Sequence, residues 1–562
     1  MPSNLSTVFT AAAALLIPYG PWADVWAYRG VVAPTPFDAC PQVDSLSPRV
    51  HSILQARLEG LYSAGDFKST VHEKLGGAVR VATESYDDML PVGEDPRWDV
   101  FQDFHLFLES SFPMVYSSLR VTKVNTYGLV FHWQGSEPLL KPLLLAAHQD
   151  VVPVDPDTAG QWIHPPYSGH YDGTWIWGRG SADDKSDLIA QLIAVDSLIK
   201  QGFKPLRTIV LAFGIDEESA GTEGAGRIAV YLEKTYGPNS FAFLLDEGDG
   251  YGENVHDGLI FASPAISEKG YFDVKIEVRA AGGHSSIPPR HTTIGVLSQI
   301  VVALENTPHE AAFPRSGTAF ANAQCAIAHD PKSSLWLKRL ARKALTDDAS
   351  LEELKQFLLK SDPVFDTMLK TTQAVDIIYG GAKVNALPEV ATVIVNHRIA
   401  EQSSVADVEQ HIVQLILPIA SRLNMSLHAF GLPPMSNAGH ERQIIITDAF
   451  GTALEPSPVT PTKPGGPYDL LAGTIKSALE TSERYNSTGI IISPSLGLGN
   501  TDTRFYWNLT RHIFRYSHYG DRDDYFNGLH TVNEAVRGEA VVEHIRFFTK
   551  LILNSDETHL FV

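Results

Sequence analysis

Three short apolar runs that alternate with helical stretches constrain the fold of this chain more than any other feature of its sequence. They occupy residues 143–147, 208–214 and 241–245, and a helical stretch at 184–202 lies between the first two. In that stretch the apolar side chains recur on one helical face, at Leu188, Leu192, Val195 and Ile199. Short apolar runs separated by helices are typical of a parallel sheet covered on both faces. The pattern predicts an α/β fold, with a mostly parallel sheet and helices on both faces.

A second domain is predicted within the first, because the pattern changes to alternating strands such as 271–280 and 391–399, with a charged helical insert at 330–369. The parallel-sheet pattern resumes near Pro456. We expect an N-terminal arm with a possible signal segment, a discontinuous α/β domain and an inserted α+β domain. Their expected ranges are 1–47, then 48–265 together with 436–562, and 266–435.

Net charge and the length of the apolar runs disfavour nucleic acid as a partner and a membrane-spanning segment. The chain has 562 residues and a net charge of −21, which disfavours nucleic-acid binding because it repels a phosphate backbone. Apolar runs are too short to cross a bilayer, so no membrane span is expected.

The compartment and the pairing of the cysteines stay open at this point. The apolar run 8–17 is as long as a signal-peptide core, but it lacks a preceding basic residue and a clear cleavage site. Acceptor sequons for N-glycosylation favour the secretory pathway; they begin at Asn4, Asn424, Asn486 and Asn508. Cys40 and Cys325 are compatible with a bridge or with two buried thiols.

Histidine and acidic side chains occupy each junction between a predicted strand and the next helix. They are His148 and Asp150 after the first run, Asp183 and Asp184 before the helix, Asp216, Glu217 and Glu218 after the second run, and Asp246 and Glu247 after the third. Taken singly, each has an ordinary explanation, because acids stabilise helix N-termini and a lone histidine is commonly a hydrogen-bonded core residue. Their repetition favours a shared site, since the carboxyl ends of such strands meet at one crevice.

A crevice that collects carboxylates needs a cation, because the carboxylates repel one another strongly in a low dielectric. A mixture of imidazole and carboxylate ligands suits zinc. We therefore expect a divalent metal site with one carboxylate left free to act as a base.

Motifs along the chain resemble those of the di-zinc metallopeptidases that include glutamate carboxypeptidase, aminoacylase and carboxypeptidase S, and the likeness is closest to the fungal vacuolar carboxypeptidase S. The motifs are HQD (148–150), GRGSADDK (178–185), DEES (216–219), LLDEG (244–248), GGHSS (282–286), GGAKVNALP (380–388), GNTDTRFYW (499–507) and GLHTVNE (528–534). They follow the family's order across residues 40–550, and their specificity comes from the whole set. The resemblance implies a zinc-peptidase-like catalytic domain, with the inserted domain serving as a lid or dimerisation domain.

The same resemblance implies two zinc ions per subunit. The implied ligands are His148, Asp183 and Asp246 for one ion, and Asp183, Glu218 and His530 for the other. A cis peptide bond would follow the bridging Asp183. Glu217 would be the general base, and Asp150 would orient the His148 imidazole. The helix after Asp184 departs from the family by carrying Ser186 where glycine is common.

Substrate-binding residues are also implied by the resemblance. His284 would help to hold the oxyanion, often across a dimer, and Asn385 and Arg398 would bind the terminal carboxylate of the substrate. Thr501, Asp502 and Arg504 would line the cleft. Without the family, GGHSS is equally compatible with a simple turn and Arg398 with a surface cation.

The leading functional hypothesis is a zinc carboxypeptidase that removes a C-terminal residue from short peptides. An alternative of the same chemistry is an amidohydrolase or synthase that acts on N-acyl amino acids. A third hypothesis, from a different class, is a catalytically inactive binding module that retains the fold. It predicts a broken ligand or a missing base, whereas the implied ligands and base are all present in the sequence. The expected partner is a peptide or N-acyl amino acid with a free carboxylate, and a second subunit bound through the inserted domain is a further candidate partner.

Overall fold

The computed structural model describes residues 40–254, 258–361, 363–435, 441–485, 489–520 and 523–558. An eight-stranded sheet forms the larger layer of these residues. Its strands, in spatial order, are β1 (Arg120–Val124), β2 (Gly128–Trp133), β6 (Ile209–Gly214), β3 (Leu143–His148), β7 (Phe243–Asp246), β20 (Ile513–Arg515), β10 (Ala265–Glu268) and β19 (Ser495–Gly497). The central strands β6, β3, β7 and β20 run parallel to one another, so the predicted α/β architecture is confirmed.

Helices cover both faces of this sheet, as the continuous apolar strands predict. Their ranges are α1 (Ser52–Tyr62), α2 (Gly65–Val79), α3 (Val100–Ser111), α4 (Pro113–Ser118), α5 (Lys185–Lys200), α6 (Ala225–Tyr236), α13 (Pro467–Glu480) and α14 (Gly538–Glu557). Alternate residues of β3 face opposite layers, because Leu145 packs with α5 and α14 while Leu144 packs with α6. Helix α5 is buried over most of its length between β3, α2 and α14, which explains why its apolar stripe is broad.

A separate five-stranded sheet forms the inserted domain. It comprises β13 (Thr372–Gly380), β15 (Val390–Ile399), β11 (Gly270–Arg279), β17 (Gln443–Asp448) and β16 (Ser426–Ala429), with β13 and β16 at its edges. Helices α7 (Thr293–Glu305) and α12 (Val405–Arg422) pack on it around a separate apolar core. Four further helices, α8 (Thr318–His329), α9 (Leu335–Ala344), α10 (Asp348–Ser361) and α11 (Pro363–Leu369), share a third core.

The end of the insert differs from the range expected from the sequence. Strand β17, at residues 443–448, pairs with β11 in the five-stranded sheet, so this sheet continues beyond residue 435. The sequence between β16 and β17 includes residues 436–440, which lie outside the described chain. The short strand was missed because its pairing partner β11 is more than 160 positions earlier in the sequence.

The remaining short strands form three small, separate sheets. One pair joins β12 (Gly283–His284) to β14 (Ala386–Leu387). One three-stranded sheet contains β18 (Gly489–Ile492), β9 (Leu259–Ala262) and β8 (Tyr251–Asn254), and another contains β21 (Ala535–Arg537), β5 (Trp175–Trp177) and β4 (His170–Tyr171).

A disulfide bond joins Cys40 to Cys325, across 285 positions of sequence. It attaches the first described residue to α8, and His329 of the same helix lies with its Nε2 atom 3.0 Å from the Cys40 carbonyl oxygen. The cysteine pairing that the sequence left open is therefore a bridge. Helices long and apolar enough to cross a membrane are not found among the described residues.

Candidate metal centre

The site forms where parallel strands end side by side. His148, the last residue of β3, lies opposite Gly214, the last residue of β6, and β3 is also in register with β7. The residues that follow β6 and β7 therefore lie at the same carboxyl-terminal end of the sheet as His148. This register explains why acids separated by about a hundred positions meet in space.

The first candidate ligand group consists of His148, Asp183 and Glu247. His148 is buried, and its Nε2 atom lies 3.1 Å from Asp183 Oδ1 and 3.6 Å from Glu247 Oε1. One possible ligand atom from each residue lies within 4.8 Å of the others. The spacing suits a single divalent cation held by one imidazole and two carboxylates.

The second candidate ligand group consists of Asp183, Glu218 and His530. The His530 Nε2 atom lies 3.0 Å from Asp183 Oδ2 and 3.0 Å from Glu218 Oε2. Asp183 thus presents one carboxylate oxygen to each group, which is the bridging position that the sequence resemblance implies. The peptide bond between Asp183 and Asp184 is cis, as expected.

Asp150 holds the turn that carries Glu217 and Glu218. Its Oδ1 atom accepts a hydrogen bond from the Glu217 amide at 3.2 Å, and its Oδ2 atom accepts one from the Glu218 amide at 3.1 Å. The same carboxylate lies 3.2 Å from His148 Nδ1, and Ser85 Oγ donates to it at 2.7 Å. Asp150 therefore connects the imidazole of the first ligand group to the loop of the second.

For the third position of the first group, the sequence resemblance implies Asp246, and the structure adds its neighbour Glu247 as a candidate. Glu247, and not Asp246, approaches His148. Asp246 is the last residue of β7, and its Oδ1 atom accepts a hydrogen bond from the Glu247 amide at 3.0 Å. Successive side chains at a strand end point in different directions, so the two adjacent acids are not equivalent. Asp246 Oδ2 is buried and has no hydrogen-bond partner among the described residues, so both acids of the motif LLDEG remain candidates for this position.

Burial and mutual repulsion raise the pKa values of the acids of the site. Burial, together with the nearby Asp183 carboxylate, raises the pKa of Glu218 to about 7 and that of Glu247 to about 8. Burial opposes the charging of His148 and His530, yet the neighbouring carboxylates raise the pKa of His148 well above its usual value and that of His530 to about 11. The cluster therefore favours a positive charge among its carboxylates, which a divalent cation would supply. The donor set therefore fits a pair of divalent cations that share Asp183.

A buried carboxylate outside both ligand groups supports the loop that carries Asp183. Glu534 Oε1 accepts hydrogen bonds from the amides of Gly180 at 2.9 Å and Ala182 at 3.1 Å, and Oε2 pairs with the Arg179 guanidinium. Both charged side chains are at most 6% exposed. Glu534 lies four residues after His530, so it links the loops of two candidate ligands. The motifs GRGSADDK and GLHTVNE contain this pair, but their spacing of 355 positions gives no sign that the residues touch.

Arg398, which is predicted to bind the carboxylate of the substrate, contacts the larger domain. Arg398 of β15 donates through Nη1 to Asn500 Oδ1 at 3.1 Å, and its guanidinium lies 4.8 Å from the centre of the Tyr271 ring. The strand pair β12–β14 brings His284 beside the segment that contains Asn385, and both residues are exposed. Among the described residues, neither forms a hydrogen bond or ion pair with the two ligand groups.

The three predicted cleft residues of NTDTR all interact with protein groups. Thr501 Oγ1 donates to Glu268 Oε1 at 2.9 Å, and Arg504 donates to the Ala220 carbonyl oxygen. Asp502 is buried against the turn that follows β6, where a Cβ atom at Gly221 would lie 2.6 Å from Asp502 Oδ1. Gly221 also has a φ of +66°, so glycine is required there on two grounds. The contacts of Arg504 and Asp502 support Ala220 and Gly221, which follow Glu217 and Glu218 in the same turn.

A mostly parallel α/β domain with paired His and carboxylate groups at its strand ends, joined to a second sheet domain, defines the class of two-metal α/β hydrolases. The chain belongs to peptidase family M20/M25/M40, whose model matches residues 144–554. It is 37% identical to carboxypeptidase S of Saccharomyces cerevisiae over 92% of this chain and 89% of that protein. It is 31% identical to the N-fatty-acyl-amino acid synthase/hydrolase of Homo sapiens over 86% of this chain and 87% of that protein. The fold is similar to that of human carnosine dipeptidase 1, with a TM-score of 0.59 and 14% identity over 91% of this chain and 100% of that one.

Proposed function

We propose that this chain is a zinc-dependent carboxypeptidase that hydrolyses the C-terminal peptide bond of short peptides. The observation that carries the proposal is the sharing of Asp183 between two ligand groups, with Glu217 directly beside Glu218. Membership of a peptidase family and the similarity to carboxypeptidase S support a peptide substrate.

The proposed ligands are His148, Asp183 and Glu247 for one ion, and Asp183, Glu218 and His530 for the other. Zinc in these positions would polarise the scissile carbonyl and lower the pKa of a water molecule to about 7. Asp150 keeps the His148 ring and the Glu217–Glu218 turn in place through the hydrogen bonds described above.

Glu217 is the proposed general base. Asp150 accepts a hydrogen bond from the Glu217 amide, and the Glu217 carboxylate interacts electrostatically with those of Glu247 and Glu218. Burial and the neighbouring Glu247 carboxylate raise the pKa of Glu217 above its usual value. A carboxylate with a raised pKa both accepts a proton from the attacking water and returns it to the leaving amine.

The free carboxylate of the substrate is the proposed partner of Arg398 and Asn385. Arg398 is held at the junction of the two sheets by Asn500, whose own Nδ2 atom donates to the Lys269 carbonyl oxygen at 2.6 Å. A guanidinium in this position supplies the charge-assisted hydrogen bonds that carboxylate recognition needs. Thr501, Asp502 and Arg504 are proposed to shape the same end of the cleft.

A homodimer formed through the inserted domain is supported by the exposed edge of the five-stranded sheet. Strand β13 is an edge strand, and Ile377, Ile378 and Tyr379 are 47–57% exposed there. An exposed apolar edge strand readily pairs with another chain. His284 is proposed to act on the oxyanion from the partner subunit, because its ring is exposed and is held through Nδ1 by the Ser286 amide at 3.2 Å.

The proposed domain division is a catalytic unit of 48–265 and 436–562 around an inserted unit, with the correction that β17 belongs to the insert. We further propose a secretory or vacuolar location and N-glycosylation. The disulfide is typical of an oxidising compartment, and Asn424 and Asn508 are exposed, whereas Asn4 and Asn486 lie outside the described residues.

The substitution Glu217→Gln tests the catalytic proposal. It should leave two equivalents of zinc bound and lower kcat by about 10² to 10⁴, because it removes the base and keeps the ligands. The matched control is Glu109→Gln on the exposed side of α3, which should retain wild-type kcat. Turnover of Glu217→Gln near the wild-type rate would refute the assignment of the base. Inactive wild-type protein with no bound metal would favour the inactive binding module.

Hydrolysis of N-fatty-acyl amino acids is a second candidate function, favoured by the similarity to the human N-fatty-acyl-amino acid synthase/hydrolase. The two functions differ in the group on the acyl side of the cleaved bond. Comparing kcat/KM for an N-blocked dipeptide and an N-fatty-acyl amino acid that share the same C-terminal residue separates them. A higher value for the dipeptide supports the carboxypeptidase, and the reverse result supports the alternative.

A further inference from the structure

A buried group of three polar side chains lies where α5 and α14 meet, and the proposed mechanism does not use it. Its members are Asp187 of α5, Ser517 of the segment after β20, and His544 of α14, and they are 2%, 6% and 0% exposed. Buried polar side chains are costly unless they bind one another or the backbone. None of the three belongs to the motifs that indicate the family. We call them the Asp187 cluster.

Both carboxylate oxygens of Asp187 have a partner within the cluster. Ser517 Oγ donates to Asp187 Oδ2 at 2.8 Å, and His544 Nε2 lies 3.0 Å from Asp187 Oδ1. The Nδ1 atom of His544 accepts a hydrogen bond from the His518 amide at 2.8 Å, so the proton of the neutral ring is carried by Nε2, the nitrogen beside Asp187. The same ring is stacked on that of Tyr519, with ring centres 4.6 Å apart. The Asp187 carboxylate is therefore oriented from two sides.

Ser517 connects the cluster to the loop that carries the third ligand of the first group. The Gly248 amide donates to Ser517 Oγ at 3.2 Å, and the Ser517 amide donates to the Gly248 carbonyl oxygen at 3.2 Å. Gly248 directly follows Asp246 and Glu247, the two candidates for that ligand. A Cβ atom at Gly248 would lie 2.5 Å from the carbonyl carbon of Arg515, so this loop packs closely on β20. One hydroxyl group therefore links both candidate acids to Asp187.

Asp187 also belongs to the segment that carries the other two ligands of the first group. Helix α5 begins at Lys185, directly after Asp183 and Asp184, and the Asp187 amide donates to the Asp184 carbonyl oxygen at 3.1 Å. Asp184 Oδ2 in turn accepts a hydrogen bond from the His148 amide at 3.2 Å. Asp187 therefore lies between the first turn of α5, which supports His148 and Asp183, and the loop that ends at Gly248.

We propose that Asp187, oriented by His544 and acting through Ser517, is a positioning residue for the first ligand group. It holds the loop of residues 246–248 at a fixed distance from His148 and Asp183, so that the third ligand meets the other two. Partners of this kind behind metal ligands orient the ligands and raise metal affinity. The second group takes Glu218 and His530 from other loops, so the effect falls on one ion of the two. This inference rests on the proposed function, because it requires a metal ion at the first group.

Hydrogen–deuterium exchange of the full chain without metal tests the link through Ser517 directly. Ser517→Ala removes the acceptor of the Gly248 amide, so this amide should exchange about threefold to tenfold faster than in the wild type, as the loss of one hydrogen bond predicts. The matched control is Ser555→Ala, because Ser555 is also buried and its hydroxyl has no hydrogen-bond partner among the described residues. The control should leave exchange at Gly248 unchanged. Wild-type exchange at Gly248 in Ser517→Ala would overturn the proposal.

Zinc titration of the same proteins tests the consequence for the metal. Ser517→Ala and Asp187→Asn should each bind one of the two zinc ions about 10-fold to 100-fold more weakly and keep the affinity for the other, and half-maximal activity should need correspondingly more free zinc. Ser555→Ala should bind both ions as the wild type does.

The outcomes separate this inference from the proposed function. Two zinc ions in an active wild type, together with unchanged affinities in Ser517→Ala, would overturn the positioning role alone. Equal weakening of both ions would overturn it as well, because a general loss of packing affects both ligand groups. A wild type that binds no zinc and hydrolyses no peptide would overturn the proposed function itself.

Discussion

Replacing Glu534 with alanine should destabilise the loop that carries the bridging carboxylate, even though Glu534 belongs to neither ligand group. The change leaves the buried guanidinium of Arg179 without its partner, and breaking a buried ion pair in this way costs about 3–5 kcal/mol. The amides of Gly180 and Ala182 also lose their acceptor, which adds about 1–3 kcal/mol for each donor that stays buried. We expect the free energy of unfolding to fall by at least about 4 kcal/mol.

Urea denaturation of the metal-free chain measures this change without the contribution of bound metal. Glu534→Gln should cost less than Glu534→Ala, because the amide oxygen of glutamine still accepts the two loop hydrogen bonds. Glu353→Ala on the exposed side of α10 is the control and should change stability by less than about 0.5 kcal/mol. Zinc titration of the same proteins should show affinity about 10-fold to 100-fold weaker for Glu534→Ala. If both the stability and the zinc affinity of Glu534→Ala equal those of the wild type, the supporting role is refuted.

Other consequences of the site are open to direct measurement. Glu247→Ala should lower the zinc content from two equivalents towards one, whereas Asp246→Ala should retain two; metal analysis of both variants decides between the adjacent acids. Zinc affinity should rise with pH from 6 to 9 in calorimetric titrations, and zinc binding should release protons. The carboxylates of Asp183 and Glu218 raise the pKa of His530 to about 11, so this imidazole must lose a proton before it binds metal. A flat pH profile would contradict this expectation. Cys40→Ser should lower the free energy of unfolding by about 2–5 kcal/mol, because the disulfide that it removes closes a loop of 285 positions. A free energy of unfolding equal to that of the wild type in urea denaturation would show that the bridge does not constrain the unfolded chain.

The position of the site could be predicted from the sequence because it depends on local patterns. Short apolar runs identify the strands, and parallel strands necessarily end together. In the structure, His148 at the end of β3 lies opposite Gly214 at the end of β6, as expected for parallel strands. The family motifs then identified Asp183, Glu218 and His530, which the fold brings within one group.

Choices that depend on side-chain direction could not be made from the same patterns. Asp246 and Glu247 are adjacent and chemically similar, and only the exact end of β7 decides which one faces His148. Strand boundaries are the least reliable part of sequence reasoning, and a shift of one residue reverses the direction of the side chain.

Long-range pairs form a second class that the sequence does not reveal. The contact between Arg179 and Glu534, the bridge between Cys40 and Cys325 and the pairing of β17 with β11 each join distant parts of the chain. Each pair depends on tertiary packing, whereas the sequence patterns report on neighbouring residues only. The insert boundary was misplaced for this reason.

Anomalous diffraction above and below the zinc absorption edge, from crystals grown without chelator, tests the central claim most directly. The account predicts two peaks about 3.5–4 Å apart, one contacted by His148, Asp183 and Glu247 and the other by Asp183, Glu218 and His530. A single peak, or two peaks that do not share Asp183, would contradict it.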